Sequence, residues 1–154
     1  MLPDDVFRER LEQTLMGLEA WAESTRDVAS VNISASPHYW RMAVVPETEG
    51  ACPFELLLKS TQTFGLKLGE EVYENERIED FSIFSKIVHA VADGQVALVE
   101  IFNAQTELLL GLATKVVLSD GTTWMRERRV TPRPMPALEI LEERRDRWYL
   151  PYRR

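Results

Sequence analysis

The side chains with chemical potential are few and scattered. In the run VALVEIF, Glu100 falls on the same strand parity as Leu98 and Phe102, and a carboxylate among apolar neighbours must be paired or carry a raised pKa. His38 opens the run HYWRMAVV beside Tyr39 and Trp40. Brought together, Glu100 and His38 could act as acid and base in a small cavity, as a small-molecule-binding protein or enzyme would need. The competing expectation pairs Glu100 with an Arg or Lys on a neighbouring strand and leaves His38 a satisfied edge histidine. His89 is expected on a helix surface with Asp93 four residues on. In TTWMRERRV, Trp124, Arg126 and Arg128 interleave a ring with cations, as stacking platforms for nucleic acid do.

No phosphate loop, dinucleotide fingerprint, nucleophile elbow or paired-histidine zinc motif occurs. One Cys and two His cannot complete the usual zinc sets. No cofactor, metal or catalytic residue is therefore expected. Cys52 stands alone, so no internal disulfide can form. The start MLPDDVFRER has neither the basic opening nor the apolar run of a secretory signal, and no stretch approaches the roughly 20 apolar residues that cross a bilayer. A soluble, cytoplasmic protein is expected.

Charge is distributed unevenly. The chain carries a net −7. Residues 1–125 hold 9 basic and 20 acidic side chains, whereas residues 126–154 hold 9 arginines against 5 acids. The ending RRDRWYLPYRR supplies Arg145, Trp148, Tyr149 and Tyr152, residue types that dominate interface hot spots. With Trp124, Arg126 and Arg128 they form the candidate partner-binding set. Trp148, Tyr149 and Leu150 are expected to dock on an apolar surface of the body or of a sister subunit, the ending's arginines meeting the six acids between residues 70 and 80. The strongly acidic body argues against nucleic acid, and no basic amphipathic helix speaks for a membrane.

The elements that must position these groups follow from periodicity. Phe7, Leu11, Leu15, Leu18 and Ala22 recur at helical spacing over residues 3–24, with Asp4 and Asp5 in the first turn where the helix dipole favours anions. Residues 38–46 read as a strand. Phe54, Leu56 and Leu58 alternate in one run and Phe64, Leu66 and Leu68 in the next. Because opposed residues share a face, these sets meet only across a loop of odd length, pairing Phe54 with Leu68, Leu56 with Leu66 and Leu58 with Phe64. Ile78, Phe81, Phe84, Val88 and Val91 mark a second helix that stops at Asp93-Gly94, and the acidic run before it reads as a solvated face.

Three strands follow, over residues 95–103, 108–119 and 122–130. The last two join at Asp120-Gly121, a strong hairpin signal. A two-residue turn there opposes Val117 to Trp124 and Lys115 to Arg126. That register makes the face bearing Leu109, Val117 and Trp124 too apolar for water and in need of a cover. It also sets two cations together unless an anion intervenes. The expected anion is a carboxylate of the chain itself; a carboxylate ligand, a phosphate or an acidic peptide is the alternative. Prolines 132, 134 and 136 then lead into a helix over residues 137–150.

The fold class so predicted is α+β: one antiparallel or mixed sheet of about six strands in the order α-β-β-β-α-β-β-β-α. Residues 1–131 form the domain, and residues 132–154 form a Pro-rich connector and a C-terminal helix that docks on the body or on a second subunit. The function predicted is a non-catalytic, homodimeric protein-binding module of chaperone- or adaptor-like kind, with a small-molecule site or enzyme near Glu100 and His38 as the alternative.

Overall fold

Two antiparallel sheets, not one, carry the chain. The computed structural model describes residues 1–130 and 141–153. In order come α1 (Asp4–Thr25), β1 (Ala29–Ala35), β2 (Tyr39–Pro46), β3 (Phe54–Lys59), β4 (Thr63–Leu68), β5 (Glu71–Arg77), α2 (Ser82–Ala92), β6 (Val96–Asn103), β7 (Leu109–Val117), β8 (Thr123–Arg129) and β9 (Glu142–Trp148). The first five strands form a meander, and the last four a sheet of order β8-β7-β6-β9. The α+β class holds, with more strands than periodicity revealed. No helix of the described residues is long and apolar enough to cross a membrane.

The β3–β4 hairpin has the deduced register, with Phe54 opposite Leu68, Leu56 opposite Leu66 and Leu58 opposite Phe64. Gln62 at its tip takes a positive φ of 64°. Its side-chain amide accepts from Leu2 N–H at 3.0 Å and donates to Leu2 O at 2.7 Å, pinning the entry to α1. α2 starts beside Asp80, whose Oδ1 accepts from Ser82 N–H and Ser82 Oγ–H, and stops at Gly94 with φ +75°. Phe84 of α2 meets Phe64 edge-on at 5.0 Å. The main core gathers Leu18, Trp21, Met42, Leu56, Leu66, Val88, Val96 and Trp124 between helices and sheets.

Three stretches differ from expectation. β1 alternates Val31 and Ile33 with Ser30, Asn32 and Ser34, a pattern too thinly apolar to stand out. β5, expected as a solvated acidic face, is a strand because its ladder with β4 fixes it, although its sequence EVYENER favours none. The predicted helix over residues 137–150 falls partly outside the described residues; its residues 142–148 are β9. Here local propensity yields to tertiary demand. β6 is buried at Val96, Ala97, Val99, Ile101 and Phe102, so its amides need partners on both sides. β7 supplies one ladder and β9 the other.

The turn at Asp120 also departs from the sequence reading. Leu118 N–H donates to Thr122 O, and Gly121, at φ +88°, donates to Leu118 O. Three residues therefore lie in the loop, not two, a hairpin form that places a left-handed residue last. The register moves by one, setting Val116 opposite Trp124, Lys115 opposite Met125 and Thr114 opposite Arg126. Because side chains alternate, this single residue turns Trp124 into the main core, where it meets Tyr73 edge-on at 5.7 Å. The opposite face keeps a small cluster of Val99, Ile101, Leu110 and Ala113. Long charged side chains registered over that row shield it. They are joined as Lys115–Asp146 at 2.6 Å, Arg129–Glu142 at 2.9 Å, and Glu127 with both Arg129 and Arg144.

Candidate binding site

An open concavity lies beside α1. The amphipathic stripe of this helix buries Phe7, Leu18, Trp21 and Ala22 but leaves Leu11 and Leu15 half-buried. The turn between β1 and β2 stands across from these two leucines. Together α1, Trp40 of β2 and Leu58 of β3 enclose a groove of about 540 Å³. Its rim carries Asp4, Arg8, Glu12 and His38, so charges of both signs flank an apolar floor. Trp40 is 4% exposed, and its indole N–H has no acceptor among the described residues. His38 is held by its main chain: its N–H donates to Ser36 Oγ, and its carbonyl accepts from Ser60 N–H.

His38, expected to open a strand, lies in the β1–β2 turn of the five-stranded sheet, whereas Glu100 belongs to the four-stranded one. Glu100 sits on β6, where Arg147 of β9 reaches it at 2.6 Å, and it is not among the residues lining the groove at His38. The acid–base pair considered from sequence is thus not assembled; the pairing with a neighbouring-strand arginine is what occurs. His89 bonds Ser85 O through Nδ1, not Asp93.

Of the predicted partner-binding residues, Trp124, Arg126, Arg128 and Arg145 share one face of the four-stranded sheet, as the registers across β8, β7, β6 and β9 require. Trp148 points to the other face, where Lys115 Nζ lies 5.1 Å from its ring. Arg126 stacks on Trp124 at 4.7 Å and bonds Glu76 at 2.6 Å. Arg128 forks onto Glu71, a carboxylate only 4% exposed, at 3.0 Å. Two of the six acids of residues 70–80, Glu71 and Glu76, are therefore met by β8, and among the described residues none is met by the ending's arginines as expected. Lys115 and Arg126 do not oppose each other, and each has its own carboxylate. Arg145 lies over the Phe102 ring at 4.2 Å.

The ending's main chain is bonded to its own body, although the Trp148 and Leu150 side chains, expected to dock there, stay exposed. Tyr149 N–H donates to Val96 O, Leu150 N–H to Gly50 O and Tyr152 N–H to Ala92 O. The Tyr152 hydroxyl donates to Cys52 O at 2.6 Å from a site 2% exposed. Arg153 forks onto Asp27 at 2.6 and 2.8 Å, holding that carboxyl below its usual range. Burial pushes the Tyr149 and Tyr152 hydroxyls up and the Cys52 thiol up to about 12. A thiol so raised is a poor nucleophile at neutral pH.

No known family, curated protein or solved structure matches the chain. The site must therefore be read from its own geometry. No group of three or more metal-ligating side chains occurs among the described residues. The groove residues Leu11, Leu15 and Trp40 escaped the sequence reading because their spacing is that of core residues. Only the placement of the β1–β2 turn leaves the two leucines half-covered.

Proposed function

We propose that the protein is a non-catalytic protein-binding module, of chaperone- or adaptor-like kind, which takes a partner's apolar side chains into the groove beside α1. The observation that carries this reading is the half-buried pair Leu11 and Leu15, set over Trp40 and Leu58 and rimmed by charge. An apolar floor with a mixed-charge rim is the anatomy of a protein interface. Within the arginine and aromatic ending, Tyr152 and Arg153 are held against the body, whereas Trp148 and Leu150 stay exposed.

A test is to reconstitute a purified partner complex with the full chain and with Leu11→Lys/Leu15→Lys. The expected result is at least a tenfold loss of affinity for the double variant, with an unchanged circular dichroism spectrum. Equal affinity would exclude the groove. Self-association is checked by sedimentation of the same proteins, and a dimer that the double variant abolishes would make a second copy the occupant.

A second reading, a small-molecule site at the same groove, is favoured by the buried Trp40 indole N–H without an acceptor. Its volume suits a small ligand. A compound that shifts Trp40 fluorescence and raises Tm in proportion to its concentration would support that reading.

A further inference from the structure

Sheets end in edges, and each edge strand presents unpaired amides and carbonyls to whatever approaches. Among the described residues there are four such strands: β1 and β5 bound one sheet, β8 and β9 the other. Natural edges are guarded by charge, proline or bulges. β5 reads EVYENER, β8 TWMRERR and β9 EERRDRW, all dense in charge. β1 reads ASVNISA, without a charge or a proline.

The ladder fixes which groups of β1 are free. Glu47 N–H donates to Val28 O. The alternation of an antiparallel pair then turns the main-chain groups of Ser30, Asn32 and Ser34 toward β2. Those of Ala29, Val31, Ile33 and Ala35 face the open edge. Ala29 and Val31 are themselves buried, at 4% and 9% exposure, and Val31 O accepts from Arg26 Nη1 at 3.0 Å; the accessible outward groups are those of Ile33 and Ala35. The Arg26 side chain is itself exposed and shared with Glu23, so it can swing away. At its far end, Ala35 borders the groove that holds Leu11 and Leu15.

We propose that this edge accepts an extended segment of a partner protein as an additional strand, one whose apolar core is flanked by lysines or arginines. The inference rests on the protein-binding reading and names the mode and the chemistry of the partner. Charge selects the occupant. α1, which lies against β1, holds six acidic and two basic side chains, within a body of 20 acids and 9 bases over residues 1–125. Pairing β1 with its own copy about a twofold axis would bring two such helices side by side. A basic-flanked segment meets the same field favourably.

The test uses the full-length protein and a synthetic peptide with an alternating Val and Thr core and lysines at both ends. The amides of Ile33 and Ala35, the accessible outward pair of β1, are expected to gain at least tenfold protection from hydrogen exchange on binding. Methylating alternate peptide nitrogens, or exchanging the lysines for glutamates, is expected to weaken binding at least tenfold. Ile33→Pro removes one outward N–H without touching the β1–β2 ladder and is expected to do the same. The methylated peptide decides the matter should that variant not fold. Equal binding of the methylated peptide, or no protection along β1, overturns the proposal. Concentration-dependent protection of these amides without peptide also overturns it, in favour of a second copy. If β1 stays unprotected while a bound partner perturbs Trp40, the edge inference fails and the groove reading stands.

Discussion

Tyr152 is the place where the attachment of the ending can be weighed. Its ring is 98% shielded, and its hydroxyl donates to Cys52 O at 2.6 Å in a buried site. Tyr152→Phe keeps the ring and leaves the carbonyl without this donor, which costs roughly 1–2 kcal/mol. Tyr152→Ala also empties the ring's space, which raises the loss to roughly 3–5 kcal/mol. With a urea slope of about 2 kcal/mol per M, the phenylalanine variant lowers the midpoint by roughly 0.5–1 M and the alanine variant by about 1.5–2.5 M. Equilibrium urea unfolding followed by far-UV circular dichroism reads both. If Tyr152→Ala lies within about 0.5 kcal/mol of the parent, the segment does not clamp the body. If the two variants cost the same, the hydroxyl and not the ring carries the attachment.

Arg128→Met strips the near-buried Glu71 carboxylate of its fork and is expected to cost roughly 2–3 kcal/mol, discounted because Arg128 is half-exposed. A double-mutant cycle with Glu71→Gln should show coupling of about 1 kcal/mol or more, and additivity would refute the pairing. Gly94→Ala would set a Cβ 2.8 Å from Pro151 N at a φ of +75°. It is expected to cost at least roughly 1–2 kcal/mol and to hasten proteolysis near residue 151. Stability should also fall at alkaline pH. The Cys52 thiol, with a reference value of 9.0, is held protonated to about 12 by burial. Its contribution is whole below pH 9 and is lost as pH rises toward 12, since the unfolded chain ionises first. Cys52→Ala should flatten that decline, measured by urea midpoints from pH 8 to 11.

How far the sequence reaches depends on what each element buries. The β3–β4 register was legible because Phe54, Leu56 and Leu58 and their partners all face the core, so parity alone fixes the loop length. α1 and α2 were legible for the same reason. β9 was not, since all of its side chains are exposed and nothing in EERRDRW tells a strand from a helix. Its state is decided by the bare flank of β6, whose residues precede their β9 partners by 39 to 51 positions. The Asp120 hairpin shows how little separates the two registers: one added loop residue moved Trp124 from a face needing a cover to the core that provides one. The groove was invisible for the opposite reason, because Leu11 and Leu15 carry the same pattern as buried leucines.

The clasp formed by Tyr149 to Arg153 has a temporal consequence. Cys52 and Tyr152 are 100 positions apart, and Asp27 and Arg153 are 126. At ribosomal speeds of about 5–20 residues per second, the first pair is separated by roughly 5–20 s of synthesis. Throughout that interval the nascent five-stranded sheet lacks the strap that later seals the Cys52 region, so its apolar flank stays open to passing chains until the strap emerges.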